Sequence, residues 1–519
     1  MPLSLADARF LCIRAMGLAR RGWLSLRTRG WRGSWERVKV QLRPPPARRR
    51  PALFKPGQAS FAPFALATSE TPVASIVIPV FNQFAHTLAC LRALAAHLPA
   101  APFEVIAVDD GSSDATVDAL PQVAGLRYHR RARNGGFIAA CNDGARLARG
   151  DILVFLNNDT VPQPGWLDAL LATFEAHPDA GVVGAQLLYP DGRLQEAGGV
   201  VFGDGGAWNY GRFGSPQDPR YGYLREADYA SGAAIAVPRA LFERLGGFAE
   251  RYAPAYYEDT DLAFAARAAG RRVLYQPAAR VVHDEGATSG TDTGSGPKAY
   301  QVRNRERFAA RWRDALGAQL PPGTVPTPAL LHRRQRQVLV IDALTPQPDR
   351  DSGSLRLVNL LRLLREHGAH VAFLPADRAH DGRYTEALQQ LGVEAWYAPF
   401  ARSAPAWLAE HGARFERVLV ARHYVAGEFL PLLRRHAPRA RLLFDSIDLH
   451  YLRERRAAEL AGDAALLRAA MRTRERELAV VAQADTTLVV SEAERELLAR
   501  DAPGARVEVL SNLHQVAGP

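Results

Sequence analysis

The chain has 519 residues, of which 47% are apolar and 23% charged, which suits a globular protein of two or three domains of ~100–200 residues each. Its formal charge of +11 is carried by residues 1–50, where twelve Arg and one Lys stand against Asp7 and Glu36. No apolar run approaches the ~20 residues that span a bilayer, and no base-reading module accompanies the charge, so neither a membrane-spanning segment nor nucleic-acid binding is expected.

The start of the chain is broken by Asp7, Arg9 and Arg14 and lacks the apolar core of a signal peptide. Cys12, Cys90 and Cys141 are scattered and odd in number. A cytoplasmic location is therefore expected. Leu3, Leu5, Phe10, Leu11, Trp23, Leu24, Trp31 and Trp35 interleave the basic residues. Such an arm can lie on an anionic surface, so peripheral contact with the inner face of the cell membrane through residues 1–50 is expected.

Repeated proline in residues 43–58 marks a linker, and residues 1–70 are assigned to the arm and this linker. Regular α/β alternation then begins. SIVIPV, FEVIAVD, LRYHR, ILVFL and GVVGAQLLY predict strands, with helices over about 84–98, 114–120, 136–148 and 166–177. Ser112 or Ser113 would cap the second of these helices. Residues 190–228 are rich in glycine and aromatics and predict an irregular insert or a hairpin over the site, in which Trp208, Tyr210, Tyr221 and Tyr223 form a sugar or acceptor platform or ordinary packing. SGAAIAVPRALFERLGGF follows as strand, turn and helix, and a helix from Asp261 ends at Gly270. The Gly/Ser/Thr loop 284–298 has the composition of a closing lid, and Lys298 at its end could meet phosphates. This unit spans 71–318.

Residues 319–336 contain a second linker. From Gln337 to the end a fresh α/β series begins, with QVLVID, HVAFLP, VEAWYAP, RVLVARH, RLLFDSID, DTTLVVS and RVEVLSN as seven strands. Alternation of this kind predicts a Rossmann-like, doubly wound domain over 337–519.

Acidic or metal-capable groups close several strands of the first unit: Asp109 and Asp110, then Asn157, Asn158 and Asp159, then Glu258, Asp259 and Asp261, then His283. In an open α/β sheet, ligands bind outside the carboxyl ends of the strands. Carboxylates at that edge can hold a nucleotide and a divalent cation. Transfer of a sugar from a nucleotide diphosphate needs three things: stabilisation of the leaving diphosphate, a fixed base and ribose, and a carboxylate to take the acceptor's proton. Asp159 is the natural metal ligand. Asn157 points to the same side of an extended chain and can bond a ribose, and Asp110 can accept from a base N–H. Each cluster alone has a plainer reading. Asn157–Asp159 and Asp110 suit turns, Glu258 and Asp259 suit a helix start, and His283 suits a structural histidine.

The ordered set SIVIPVFNQ, VDDGSSDAT, RNGGFIAACNDGA, GDILVFLNNDT, SGAAIAVPRALFERLGGF, YYEDTDLAFAARAAG and VVHDEG resembles the family-two, GT-A-fold inverting glycosyltransferases from about Ala74 to Trp312. The resemblance implies roles residue by residue. Pro79, Phe81 and Asp110 would embrace the base, and Asn134 with Gly135 would flank the nucleotide. Asn157, Asn158 and Asp159 stand where the family has its Asp-x-Asp motif, so Asp159 would bind Mg²⁺ or Mn²⁺, with His283 completing the metal shell. Asp259, within the Glu258–Asp259 motif, would be the catalytic base. The implied partners are a nucleotide-diphosphate sugar donor and a glycan or lipid-linked acceptor in bacterial surface-polysaccharide synthesis, with rhamnose the sugar that family habit suggests. A non-catalytic glycan-binding protein and a nucleotidyltransferase are the alternatives. The second lacks its Gly-rich, Lys/Arg-bearing signature in SIVIPVFNQ.

LLFDSIDLHYLRERR and TTLVVSEAERELL resemble the N-terminal, acceptor-side half of family-four GT-B glycosyltransferases. That resemblance implies acceptor-side roles for Asp351, His423, Asp445, Asp448 and His450. The donor half of a GT-B enzyme would follow SNLHQVAGP, so no independent transfer by this domain is expected.

Overall fold

Four strands begin the first sheet, three of them rich in β-branched and aliphatic residues and one, LRYHR, mostly basic and aromatic. β1 (Ala74–Val80), β2 (Phe103–Asp109), β3 (Leu126–Arg130) and β4 (Ile152–Leu156) are parallel, in the order β4-β1-β2-β3. Side chains alternate between sheet faces. Ile76, Ile78 and Val80 enter one core with helices α1 (Phe84–Ala96) and α3 (Trp166–Ala176). Val77 enters the other with α2 (Phe137–Leu147) and α4 (Glu258–Ala268). Helix α2 lies close on β1 because Gly144 faces it; a Cβ there would come within 2.3 Å of Val77.

The sheet grows past β4 through shorter strands. These are β5 (Thr160–Pro162), β6 (Ala180–Leu188), β7 (Leu194–Glu196), β8 (Gly199–Val201), β9 (Ala207–Asn209), β10 (Arg225–Glu226), β11 (Ala234–Pro238) and β12 (Arg272–His283). β11 runs antiparallel between β4 and β6, and β12 lies parallel to β6. β8 and β9 form a separate hairpin sheet within the stretch read as an irregular insert or a hairpin. Helix α5 (Ala299–Arg311) follows β12.

This is a computed structural model that describes residues 52–57, 60–285 and 299–514, together with residues 10–12, 14–16, 19, 22 and 26. Most of the loop read as a lid, Lys298 included, and Trp23, Trp31 and Trp35 of the arm lie outside the described residues. The chain divides into two units, Arg49–Pro326 and Met1–Arg48 with Thr327–Pro519. Residues read as linker or arm contribute packing. Phe61 and Phe64 rest against the first core, and Leu66 is buried in it. Phe10 is buried edge-on against Phe429 of the second unit, and Arg14 lies 3.6 Å from Glu428. Among the described residues no helix is long and apolar enough to cross a membrane.

The second unit holds seven parallel strands: β13 (Gln337–Asp342), β14 (His370–Pro375), β15 (Glu394–Ala395), β16 (Arg417–Ala421), β17 (Arg441–Asp445), β18 (Thr486–Val489) and β19 (Val507–Val509). Their order is β15-β14-β13-β16-β17-β18-β19. The reversal beside β13 is the point where such sheets open a crevice. Its helices include α6 (Ser352–Glu366), α7 (His423–His436), α8 (His450–Ala461), α9 (Ala464–Gln483) and α10 (Glu492–Asp501).

Arg356 of α6 and Asp445 at the end of β17 form an ion pair that is 2% and 1% exposed. Arg356 also donates to the carbonyls of Leu510 and Ser511. Removing one partner strands the other charge away from water. Arg356→Met is therefore expected to lower unfolding free energy by about 3–5 kcal/mol, read by denaturant titration of the full chain.

One helix start differs from expectation. Ser112 does not cap a helix but accepts the N–H of Asn82, and the short helix after it begins at Thr116 behind Ala115. Asp114 takes the capping work instead, accepting the N–H of Thr116 and also that of Phe84.

Candidate active site

A cavity of about 550 Å³ opens where β1, β2 and β4 end. Pro79 and Phe81 line it from β1, Asp110 from β2, and Asn157, Asn158 and Asp159 from the turn after β4. Asn134, Glu258, Asp259 and His283 complete the group. Gly135 does not line the cavity, but its N–H donates to Asp110.

Asp110 is a loop clamp. Its carboxylate accepts N–H groups from Gly135 at 2.9 Å and Gly136 at 2.7 Å, and pairs with Arg131. Gly136 sits at φ +87°, and a Cβ there would strike Pro254 at 2.7 Å. The loop 134–136 is thus fixed against the segment that leads to Glu258. Asn158 turns its amide to Thr87 of α1, 3.0 Å away. Asn157 anchors the turn, its N–H donating to Ala233 and its carbonyl accepting from Thr160.

His283 reaches Asp159 through strand register. It is the last residue of β12, and it pairs across the ladder with Thr160 of β5. His283 Nε2 lies 3.3 Å from Asp159 Oδ1, and Nδ1 lies 2.9 Å from the amide oxygen of Gln195. An amide oxygen only accepts, so Nδ1 donates to Gln195 and Nε2 faces Asp159. A carboxylate oxygen beside an imidazole whose far nitrogen is held by a second residue is a donor set that suits a divalent cation.

Glu258 and Asp259 open α4. Asp259 Oδ2 accepts from Gly232 N–H at 2.8 Å, and Oδ1 accepts from the N–H and hydroxyl of Thr260. Burial raises its pKa, and those donors pull it back. Glu258 has less help. Burial and the neighbouring Asp259 charge hold its carboxyl well above the usual range, and its Oε2 has no hydrogen-bond partner among the described residues. Both carboxyls thus sit above their ordinary values, and Asp259 has more donors to offset its burial than Glu258. Asp261, the third acid of this motif, is not part of the cavity lining. It accepts from Tyr252, Arg311 and Trp312 and ties α4 to α5. Asn304 of α5, fully buried, donates to the carbonyls of Tyr252, Ala255 and Tyr256 and so fixes the approach to the acids.

Several lining residues carried no sequence signal. Gln195 and Glu196 come from β7, a three-residue strand, and Tyr229 and Glu285 from irregular chain. Glu285 accepts from Tyr189, Gln195 and Arg212. The expected aromatic platform is mostly core: Tyr210, Tyr221 and Tyr223 are buried, and Trp208 is half-exposed.

Glu196 accepts the N–H of Ser231, yet burial, with the nearby Asp259 charge, pushes its carboxyl up to about 8. Its ordinary value is 4.5. A raised carboxyl adds stability that is complete below the unfolded value and is lost as pH climbs through the folded one. Metal-free wild type should therefore lose on the order of a few kcal/mol more than Glu196→Gln between pH 5 and 8.5. Melting curves of both proteins across that range check this; parallel curves would refute it.

The matched family agrees with this geometry. Residues 75–238 match the family described as Glycosyl transferase family 2. This segment is similar to family 2 glycosyltransferases. It contains Asp110 and Asn157–Asp159, whereas Glu258, Asp259 and His283 lie beyond the matched stretch. Over 254 residues the chain is 32% identical to Uncharacterized protein y4gI of Sinorhizobium fredii, covering 47% of this chain and 28% of that protein. It is 31% identical over 235 residues to O-antigen biosynthesis protein RfbC of Myxococcus xanthus, covering 43% of this chain and 18% of the relative. It is 28% identical over 242 residues to N-acetylglucosaminyl-diphospho-decaprenol L-rhamnosyltransferase of Mycobacterium tuberculosis, covering 41% and 78% respectively. The chain thus spans less than a third of the first two relatives. The crystal structure of GalNAc-T7 with UDP, GalNAc and Mn²⁺ superposes on 48% of this chain and 50% of that one at TM-score 0.39 and 18% identity, a likeness too slight to argue from.

Outside the family 2 match, the polar residues expected on an acceptor side are engaged in the fold. Asp351 caps α6 through Ser354, Asp445 pairs with Arg356, and Asp448 pairs with Arg453 and His450. His423 and His450 are buried at the starts of α7 and α8.

Proposed function

We propose that the chain is an inverting glycosyltransferase that moves a sugar from a nucleotide-diphosphate sugar to a hydroxyl of a glycan or lipid-linked acceptor in bacterial surface-polysaccharide synthesis. One observation carries this reading: Asp110, Asp159 and Asp259, far apart in sequence, line a single cavity at the carboxyl edge of a parallel sheet. The family 2 match and the polysaccharide-related names among the relatives support it.

Pro79, Phe81 and Asn157 bind the base and ribose, and Asp110 keeps the loop of Asn134 and Gly135 against the nucleotide. Asn158 braces the turn that carries Asp159. Asp159 and His283 would hold Mg²⁺ or Mn²⁺, an ion that supplies charge neutralisation to a leaving diphosphate. Asp259, kept ionised by three donors, takes the proton of the acceptor hydroxyl. The acceptor oxygen bonds to C1 of the sugar from the side opposite the diphosphate, the C1–O bond to the diphosphate breaks, and the configuration inverts. Glu258, protonated beside it, donates rather than accepts and leaves Asp259 as the base.

The finer parts of the reading are rhamnose as the sugar, a lipid-linked acceptor met at the membrane through the basic arm, and a Rossmann-like second domain equivalent to the acceptor half of a GT-B fold. Seven parallel strands in order β15-β14-β13-β16-β17-β18-β19 support the last.

A thermal-shift screen of nucleotide diphosphates and nucleotide sugars, with and without Mn²⁺, tests the proposal. At a hundred-fold excess over Kd, a ligand of the folded state adds about 2.7 kcal/mol, so the true donor should raise the melting temperature, and more so with the ion. If no nucleotide sugar shifts the protein and none is consumed in the presence of glycan acceptors, the reading fails.

A further inference from the structure

The second unit contains a cluster of ligating side chains that sugar transfer does not use. His423 is the first residue of α7, two residues past the end of β16. His450 is the first residue of α8, after β17. Glu477 enters from the middle of α9. The three are 8%, 6% and 0% exposed. One ligand atom from each lies within 4.8 Å of the others. Glu477 Oε1 is 3.9 Å from Nδ1 of His423 and 3.9 Å from Nδ1 of His450.

The groups are also oriented. Glu477 accepts the N–H groups of His450 at 3.3 Å and Tyr451 at 3.1 Å, which fixes its carboxylate at the start of α8. His450 Nδ1 also lies 3.1 Å from the carbonyl oxygen of Asp448 and 3.2 Å from its carboxylate. The imidazole rings of His423 and His450 stand 4.8 Å apart and nearly perpendicular.

Charge gives a second argument. A buried carboxylate with no cation beside it is costly, and it either takes up a proton or meets a metal ion. Glu477 makes no ion pair with an Arg or Lys among the described residues. The nearby cations are committed elsewhere, Arg453 to Asp448 and Arg422 to Asp342. Two imidazoles and a carboxylate are a donor set that takes zinc, with an open position for water.

We propose that His423, His450 and Glu477 form a binding site for a divalent transition metal ion of the Zn²⁺ class. The site is separate from Asp159 and His283 and chemically distinct from them: two nitrogens and one oxygen favour Zn²⁺ or Co²⁺ over Mg²⁺. A tetrahedral centre with bonds of about 2.0–2.2 Å sets its ligands roughly 3.3 Å apart, so binding draws the three side chains together by about an ångström. The ion would pin the starts of α7 and α8 to α9.

The test is a titration of the chelator-stripped full-length protein with Co²⁺ in excess Mg²⁺, followed by the visible absorption of low-coordinate cobalt and then by displacement with Zn²⁺. The band should appear in wild type and persist in Asp159→Ala. Affinity should fall by roughly 100-fold or more in His423→Gln and in His450→Gln, and by at least ~10-fold in Glu477→Gln. Zn²⁺ should raise the melting temperature of wild type and Asp159→Ala but not of the histidine variants. Should His450→Gln not fold, His423→Gln, on a different helix, gives the same reading. Absence of the band in wild type, or a band and thermal shift unchanged in the histidine variants, would overturn the proposal and leave Glu477 as a cap of α8 only.

Discussion

Asp259→Asn is expected to lower turnover by about 10²–10⁴-fold and to leave the donor's Kd unchanged. The amide keeps the shape of the acid and an oxygen to accept from Gly232 or Thr260, but it cannot take a proton at neutral pH. Single-turnover transfer measured beside donor titration separates the two quantities. Turnover preserved in the variant would remove Asp259 as the base. Glu258 is the internal comparison, since its carboxyl is held protonated by burial and by Asp259. With Asp259 neutral, Glu258 loses that opposing charge and its pKa falls, so residual activity in Asp259→Asn should rise with pH.

Asp159→Ala is the other large effect. It removes the only carboxylate within ion-pairing distance of His283 among the described residues. Cation dependence should disappear, and donor affinity in Mn²⁺ should weaken by about 100-fold or more, the upper range seen when a metal's supporting shell is lost. Calorimetric titration of nucleoside diphosphate with and without Mn²⁺ reads both. A variant that binds donor as tightly as wild type with the ion would place the cation elsewhere. His283→Ala should weaken binding in the same direction and by less, because Asp159 keeps its turn.

Strand and helix periods made most of both sheets legible. LRYHR became β3 residue for residue, and all seven runs of the second unit became its parallel strands. Except for the edge strands β3 and β19, these segments are largely buried, so their hydrophobicity reports their fate directly. What the sequence concealed were short elements whose partners are distant. β7 is three residues long and supplies Gln195 and Glu196, and its buried acid reads locally as a surface charge. Asp261 looked equal to Asp259 in the motif, but helical rotation turns it to Tyr252, Arg311 and Trp312. Tyr210, Tyr221 and Tyr223 carry no local mark that distinguishes a stacking platform from core. Asp110 looked like a direct nucleotide contact, whereas its oxygens hold backbone amides of the loop at Gly135 and Gly136.

The β5–β12 ladder has a consequence for anyone who recombines this protein with its relatives. Main-chain pairing, rather than side-chain fit, sets His283 across from Thr160 and so beside Asp159, and Asp159 and His283 lie on either side of residue 238, where the family match ends. Side chains change face with every residue of slip. A chimera joined near that boundary will keep a working cation clasp only when the imported terminal strand arrives in phase, so an odd-numbered length change within it should silence the hybrid while an even one is tolerated.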